Sequence, residues 1–437
     1  MKSRFTRVLI VVLASAVLAA TAGTKVFAAS IYCTGNVPCS FVGQDLSNTT
    51  ISISGPVEYV DFTGANLSNS TIFVTATSAN FTKANLSGAV ATITATDLRF
   101  DNSSLRGARF TQSACSNCYF FGTNLYDANL SGLNLGVVSS GYVLGAKFPP
   151  VLPSGFAIVN GFLIGKNASL PSGANLSNGT MIGVDLTGVD LSTSNLNNLS
   201  SSGITASKPL PKLPAGWVMT QGYLIGPNAN LQNVDLGGAV LKGADVSNLD
   251  MTTWAMVGLT TSDLVASSGA PKLPSGFSLQ GGTLFGPRLI SQTNTSSLDL
   301  SNLDLSGANL VAVNMVGVKS GGITWAGIPP KLPSGYTLVA GYIVGPAVDL
   351  SSADLSGAEL NSVNLSGADL RGANLEGITS AGVMQGQGAY AVKLDPGWAI
   401  IGGTLVGPGA NLVAMDFSGL DLANVDLSGS TLDPAGS

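Results

Sequence analysis

Large apolar residues recur at every fifth position through most of the chain after residue 40. The unbroken runs are Leu105, Phe110, Cys115, Phe120, Leu125, Leu130 and Leu135; Leu231, Leu236, Leu241, Val246, Met251 and Met256; and Leu350, Leu355, Leu360, Leu365, Leu370 and Leu375. A period of five matches neither the 3.6-residue repeat of a helix nor the two-residue alternation of a strand. The pattern therefore predicts a chain that turns a corner every five residues.

Each of these central residues belongs to a recurring phrase. A small residue, Asp or Asn, the large apolar residue, a Ser-like residue and Gly follow one another, as in ANLSG at 84–88 and ADLSG at 353–357. We expect the small and large apolar side chains to point inward and the Asp, Asn, Ser and Thr side chains to face water. Gly supplies the permissive backbone that the turn requires.

The repeated A-(D/N)-L-x-G phrase resembles the pentapeptide repeat family, and the likeness covers most of residues 41–437. The resemblance implies an all-β fold, a right-handed quadrilateral β-helix with four pentapeptides in each coil. Residues twenty apart would then stack at the ~4.8 Å spacing of neighbouring strands. The sequence fits this stacking, because Asn374 would lie over Asp354 and Lys319 over Asp299, which avoids like charges.

A second, longer period is about sixty residues. Leu-Pro phrases begin at Leu152, Leu213, Leu273 and Leu332, with a variant at Leu394, at separations of 61, 60, 59 and 62. We divide the mature chain into irregular N-terminal coils with two Cys pairs (29–148), four tandem units (149–393) and a truncated final unit (394–437). Sixty is three coils of twenty, so we expect the units to join without a change of register.

Each Leu-Pro phrase introduces an insert. In the first copy the residues alternate around Asn160-Gly161, which is typical of a tight hairpin, although a widened coil side is the alternative. Each unit ends at a polar central residue: Ser140, Ser201, Thr261, Ser320 or Ser380. One insert every three rungs would align a stripe of aromatic residues: Phe156, Trp217, Phe277, Tyr336 and Trp398. These rings either pack the insert onto the coil or form a ligand platform.

The N-terminus has the features of a signal peptide. Lys2, Arg4 and Arg7 precede an apolar run from Val8 to Ala20, and small residues stand at Val26 and Ala28. Removing residues 1–28 leaves 15 basic and 24 acidic residues, a net charge of −9. No later stretch is apolar enough to span a membrane, and no basic cluster suggests nucleic-acid binding. The sequence therefore predicts a secreted or cell-envelope protein.

Composition narrows the chemistry. The chain contains no His, which excludes Ser-His-Asp and Cys-His catalysis and His-bound zinc. The predicted stacking brings together one carboxylate pair, Asp349 and Asp369, which would either share a proton or cation or remain a solvated pair. We favour the solvated pair and predict no enzymatic activity, no metal and no cofactor.

The four cysteines would lie in an oxidising compartment. Cys33 and Cys39 close a short loop containing Gly and Pro, and we predict a local disulfide there. Cys115 and Cys118 occupy inward positions on either side of one corner, where a disulfide is sterically allowed and two buried thiols are the alternative.

These features predict an exported, non-enzymatic structural or surface scaffold whose partner is unknown. The alternative is a module that binds a polysaccharide or an extended surface, including ice, through the aromatic stripe or a Thr-rich wall around Thr75, Thr77, Thr92, Thr94 and Thr96. DNA mimicry, which the family resemblance also suggests, is disfavoured by the export signal and the thinly spread charge. Uncovered strand edges in the last coil also predict end-to-end homodimers.

Overall fold

The computed structural model describes residues 39–55, 57–145, 147–413 and 415–432, together with the backbone of strands Ile10–Leu13 and Ser30–Cys33. Most of the predicted signal segment lies outside the described residues, so cleavage after Ala28 stays a prediction. The described chain divides into two compact units, Met1–Leu224 with Asn228–Asn230 (unit 1) and Ile225–Pro227 with Leu231–Ser437 (unit 2).

The fold is all-β, as predicted, and the helical content of the described residues is one 3₁₀ turn at Gly388–Tyr390. The strands, in chain order, are β1 Ile10–Leu13, β2 Ser30–Cys33, β3 Cys39–Ser40, β4 Thr50–Ile53, β5 Tyr59–Asp61, β6 Thr71–Asn80, β7 Val90–Arg99, β8 Arg109–Phe110, β9 Ser113–Phe121, β10 Leu133–Gly141, β11 Ala157–Val159, β12 Phe162–Ile164, β13 Ala168–Ser169, β14 Thr180–Ile182, β15 Ser200–Ser202, β16 Val218–Thr220, β17 Tyr223–Ile225, β18 Val240–Lys242, β19 Thr260–Ser262, β20 Ser278–Gln280, β21 Thr283–Phe285, β22 Ile290–Thr293, β23 Asn309–Val313, β24 Thr337–Val339, β25 Tyr342–Val344, β26 Ala399–Ile401, β27 Thr404–Val406, β28 Asn411–Leu412 and β29 Thr431–Leu432.

Successive coils pair in parallel, which makes each unit a β-solenoid. The partners are twenty residues apart in regular coils, as for Asp349 and Asp369, and 19 to 21 apart near the N-terminus, where Asn66 bridges Asp45 and Asn85. The backbone of each coil bonds to the coils before and after it. The Asp369 N–H donates to the Val348 carbonyl of the preceding coil at 3.0 Å, and the Leu370 N–H donates to the Lys393 carbonyl of the following coil at 2.8 Å. The predicted stacking of Asn374 on Asp354 and of Lys319 on Asp299 is confirmed.

The corners show why the phrase has its composition. In ANLSG, Ala84 and Leu86 are fully buried, as predicted. The Ala89 N–H donates to the Leu86 carbonyl at 3.0 Å, and Gly88 adopts φ +69°, as the third residue of a type II turn requires. The Asn85 side-chain oxygen accepts from the Ser87 N–H at 3.1 Å and from its hydroxyl at 2.6 Å. The Asn side chain therefore fixes the turn that follows it.

Identical residues stack along the interior of unit 1. Consecutive ring centroids are 5.0, 4.9, 5.4 and 5.4 Å apart along the series Phe41, Phe62, Phe81, Phe100 and Phe120. These separations follow the rise between coils, and the interplanar angles of 14° to 27° are those of stacked rings. The core is a set of side-chain columns, each parallel to the stacking direction.

The inserts are β-hairpins rather than widened coil sides. β11 pairs antiparallel with β12, β20 with β21, β24 with β25, and β26 with β27. Both residues of the first turn, Asn160 and Gly161, have positive φ, 49° and 82°. This is the pattern of a type I′ turn, which suits the twist of a two-residue hairpin. Ala340 adopts φ +48° at the first turn position of a later copy, which is unusual for a residue with a Cβ.

The expected three coils per sixty residues is wrong. A coil that contains a hairpin uses thirty residues, as between Lys319 and Asp349, and the next coil, to Asp369, uses twenty. Two coils therefore account for fifty residues, and ten residues, or half a coil, remain in each repeat. The prediction failed because it treated the insert as part of the regular five-residue steps.

The extra half coil places consecutive hairpins on opposite sides within a unit. In unit 1, Ser140 is aligned with Phe120, whereas Ser201 is aligned with Met181. Ser139 is aligned with Ser169, so the column of Ser140 continues through Leu170. Leu170 lies two corners away from Met181. In unit 2, Ser320 is likewise in the column of Leu350, and Ser380 is in the column of Leu360. A four-sided coil places centres two corners apart on opposite walls.

The recurring polar central residue attaches each hairpin to its coil. Each hydroxyl is buried and accepts the N–H of the middle residue in the second hairpin strand. The donor-to-acceptor pairs are Leu163 to Ser140 (2.8 Å), Leu224 to Ser201 (2.9 Å), Leu284 to Thr261 (3.0 Å), Ile343 to Ser320 (2.9 Å) and Leu405 to Ser380 (2.8 Å). A Leu at this position would leave that N–H buried without an acceptor, which explains the polar residue in an otherwise apolar series.

We predict that Ser320→Ala destabilises unit 2 by about 1–3 kcal/mol, because the Ile343 N–H loses its acceptor in a buried site. Urea unfolding followed by circular dichroism measures the loss. Ser320→Thr is the matched control, since Thr261 makes the same bond in another copy and should preserve stability. Equal stability of the Ala variant and the wild type would contradict the assignment.

Candidate functional site

The aromatic residues of the inserts lie against glycines of the same hairpins. A Cβ added at Gly165 would overlap the Phe156 ring, and the same holds for Gly286 with Phe277, Gly345 with Tyr336, and Gly407 with Trp398. Each glycine therefore leaves the space that one ring fills. Trp217 is only 9% exposed, and the other four rings are half-buried.

Tyr336 shows how firmly such a ring is held. Its hydroxyl donates to the Pro346 carbonyl at 3.0 Å, and burial raises the pKa of the phenol.

Because consecutive hairpins lie on opposite sides, Phe156 and Trp217 do not share one wall in unit 1. In unit 2, Tyr336 lies opposite Phe277 and Trp398. A single continuous stripe is therefore wrong, and the use of individual rings as a ligand platform stays a prediction.

The predicted cysteine pairs have different outcomes. Cys115 and Cys118 are both buried, and they are joined in disulfide geometry with Cα atoms 5.8 Å apart. This arrangement matches the sterically allowed bridge rather than two separate thiols. The side chain of Cys33 lies outside the described residues, so its bridge to Cys39 stays a prediction.

The carboxylate pair belongs to a ladder of charged residues in unit 2. The stacked positions are Asp299, Lys319, Asp349, Asp369 and Lys393. Lys319 lies 3.6 Å from Asp349, and Lys393 lies 3.4 Å from Asp369. Arg371 adds two bonds to Asp369, at 2.9 and 2.6 Å. Three cations of the chain, Lys319, Arg371 and Lys393, therefore surround this pair.

These cations and hydrogen bonds keep both carboxylates ionised. The Arg371 hydrogen bond lowers the pKa of Asp369 to about 2, against partial burial, which opposes the shift. Partial burial alone would raise the pKa of Asp349, but the hydrogen bonds from Ser351 and the Lys319 charge together lower it. Neither group is suited to hold a proton near neutral pH as a general acid.

We predict that Arg371→Gln raises the pKa of Asp369 and weakens the acid sensitivity of unit 2. In the folded wild type the depressed pKa stabilises the protein above the unfolded value of about 3.9, and this contribution is lost as the pH falls towards about 2. Carboxyl ¹³C shifts of Asp369, followed from pH 7 to 2, measure the change.

The matched control is Lys331→Gln, because Lys331 forms no ion pair with a described residue. This variant should leave the Asp369 titration unchanged. An unaltered Asp369 pKa in Arg371→Gln would contradict the role of the guanidinium.

A shallow groove marks the Thr-rich wall of unit 1. It encloses about 470 Å³ and is lined by Thr75, Ala76, Thr94, Ala95, Thr96, Ala114, Cys115, Ser116, Asn134, Gly136, Val137 and Asn167. The long strands β6, β7, β9 and β10 lie side by side here. The sequence indicated exposed Thr side chains but not the concavity, which needs the small Ala and Gly residues of successive coils to coincide.

Sequence reasoning missed a polar cleft in unit 2. The cleft encloses about 630 Å³ and is lined by Lys242, Ser262, Asp263, Gly281, Thr283, Gln292, Thr293, Asn294, Thr295 and Ala312. The five-residue step fails at residues 292–297, and the pairing of β22 with β23 is irregular between Ile290 and Gln292. That interruption of the repeat was the signal available in the sequence.

Across the described residues, no three Asp, Glu or Cys side chains come together in a cluster that could hold a metal ion. The same part of the chain contains no helix of the length and hydrophobicity that a bilayer crossing needs.

Comparison with known proteins agrees with the geometry. The family model of pentapeptide repeats matches in eight copies, over residues 99–136, 172–199, 228–253 and 347–378. The chain therefore contains pentapeptide repeats, and the resemblance to this family is confirmed. Pentapeptide repeat proteins are generally non-enzymatic structural proteins. A search of curated proteins gave no match.

Two solved structures are similar to the chain. HetL, a pentapeptide repeat protein involved in heterocyst differentiation regulation from the cyanobacterium Nostoc sp. strain PCC 7120, is 16% identical over 81% of this chain and 88% of its own, with a TM-score of 0.11. QnrB1, a plasmid-mediated fluoroquinolone resistance protein, is 13% identical over 56% of this chain and 91% of its own, with a TM-score of 0.13. These TM-scores are too low for either structure to bear on the function of this chain.

Proposed function

We propose that the protein is an exported, non-catalytic surface scaffold stiffened by disulfides. The observation that carries the proposal is the use of corner side chains to hold the coil itself. Asp190, for example, accepts from the Ser192 N–H at 3.0 Å and from its hydroxyl at 2.6 Å. The Ser192 hydrogen bonds lower the Asp190 pKa to about 2, so this carboxylate is a turn element and not a proton donor.

The interior supports the same conclusion. The buried hydroxyls Ser140, Ser201, Thr261, Ser320 and Ser380 each accept a hairpin N–H. The buried side chains of the described chain are otherwise almost wholly apolar, and no Asp, Glu, Lys or Arg is among them. An apolar interior of this kind supports a structural role.

Fractionation of cells into medium, envelope and cytoplasm tests the export proposal. We expect the protein outside the cytoplasm, with an N-terminus at Ala29 by Edman sequencing, because the apolar segment and small residues of 1–28 suit a signal peptidase. A variant with Leu13→Arg in the apolar run should remain inside the cell. Full-length protein confined to the cytoplasm would overturn the proposal.

A second copy of the chain is our proposed partner at the last described coil. The central residues Phe417, Leu422 and Leu427 are half-buried there, whereas Leu412 in the preceding coil is 2% exposed. We expect light scattering to show dimers at high concentration and Leu422→Glu to reduce them. A strict monomer at the highest soluble concentration would rule out this partner.

A further inference from the structure

The Thr-rich groove of unit 1 differs from the corners of the coils in how its polar groups are used. Thr75, Thr94, Thr96, Ser116 and Asn134 are exposed. Their hydroxyl and amide groups form no hydrogen bond with another described residue, whereas corner residues such as Asn85 and Ser87 bond to each other. The groove therefore presents free donors and acceptors in successive coils.

The groove follows the stacking direction. Thr75 pairs with Thr94, Thr94 with Ala114, and Ala114 with Asn134, so one row crosses four coils. At about 4.8 Å per coil, the row is on the order of 14 Å long. Small residues form the floor, and a Cβ at Gly136 would meet the carbonyl oxygens of Ser116 and Cys115. The shape suits a narrow, extended ligand rather than a flat surface.

The chemistry of the lining selects the ligand. No lining residue is charged, so an ionic polymer would find no counter-charge inside the groove. The backbone of β7 pairs with β6 on one side and β9 on the other, which leaves no free strand edge for an added peptide strand. Side-chain hydroxyls and the amides of Asn134 and Asn167 remain, and these match the hydroxyl groups of a neutral sugar chain.

An apolar surface borders the groove. Phe73 is 45% exposed and stands two residues before Thr75 on the same face of β6, and Val137 is 41% exposed in the lining. Pyranose rings combine hydroxyl edges with apolar C–H faces. Such a ring can hydrogen-bond to the Thr side chains while its apolar face packs on Phe73.

We propose that the groove between Thr75 and Asn134 binds a linear, uncharged polysaccharide laid along the stacked coils. The site uses the side chains of unit 1 alone. It therefore adds a ligand to the proposed scaffold without depending on its export or dimerisation.

Affinity electrophoresis of the full chain tests the proposal with glucomannan, hydroxyethyl cellulose and laminarin as neutral probes and polygalacturonate as the acidic probe. We expect retardation by at least one neutral polymer and none by polygalacturonate. Thr94→Val with Thr96→Val should weaken retention about tenfold or more, because two hydroxyl bonds to the sugar are lost without a change of side-chain shape. Ala114→Arg, which fills the groove, should abolish retention.

The controls separate binding from folding. Thr180→Val removes an exposed strand hydroxyl elsewhere in unit 1 and should bind like the wild type. Trp398→Ala, in unit 2, should also retain binding, whereas loss in this variant alone would favour the aromatic platform. Each variant must keep the melting temperature of the wild type. Phe73→Ala is a third test variant, which removes the aromatic ring at the border of the groove.

Three results would overturn the proposal. They are absence of retention by every neutral polymer, undiminished retention of the well-folded Thr94/Thr96 and Ala114 variants, and growth inhibition of ice crystals in place of polysaccharide retention. None of these results bears on fractionation of the cell, which tests the scaffold proposal separately.

Discussion

The parallel backbone ladder between coils is the constraint on which the structure depends. Every coil must present its N–H and carbonyl groups in step with both neighbours, because a missed step would leave buried polar groups without partners. The five-residue phrase meets this demand by placing two residues in the turn, one in a position that fixes the turn, and two in the core. Asn85, Leu86 and Gly88 show this division within a single corner. The side-chain columns, including the Phe series of unit 1, follow from the ladder.

The hairpins show how additional chain is accommodated without breaking that ladder. The insert leaves a wall and returns to it, so Lys319 still meets Asp349 although thirty residues separate them. The buried Ser320 hydroxyl accepts the Ile343 N–H, which would otherwise be buried without an acceptor. One buried hydroxyl oxygen thus satisfies the backbone where the hairpin interrupts the repeat.

The fold was predictable because its signal is local and repeated. Large apolar residues such as Leu360 recur between turn residues, and this pattern identifies the inward and outward positions. Asn160-Gly161 specifies a hairpin within two residues. The predicted number of coils was wrong because the length of a hairpin-containing coil depends on where the hairpin strands rejoin the wall. No local sequence pattern specifies that position. The concavity of the groove was missed for a similar reason, since Thr75, Thr94, Ala114 and Asn134 become neighbours only through registers of 19 and 20 residues. The cations around the pair of Asp349 and Asp369 are Lys319, Arg371 and Lys393. The positions of Lys319 and Lys393 relative to the pair depend on coils that contain inserts.

The half coil left over in each repeat gives unit 2 the symmetry of a two-fold screw. The hairpins that follow Thr261, Ser320 and Ser380 leave alternate walls, so neighbours are separated by a half turn and those on one wall by five coils, or about 24 Å. The hairpins of unit 2 therefore cannot all project from one face. A ligand laid flat on one wall of unit 2 would therefore meet only every second hairpin.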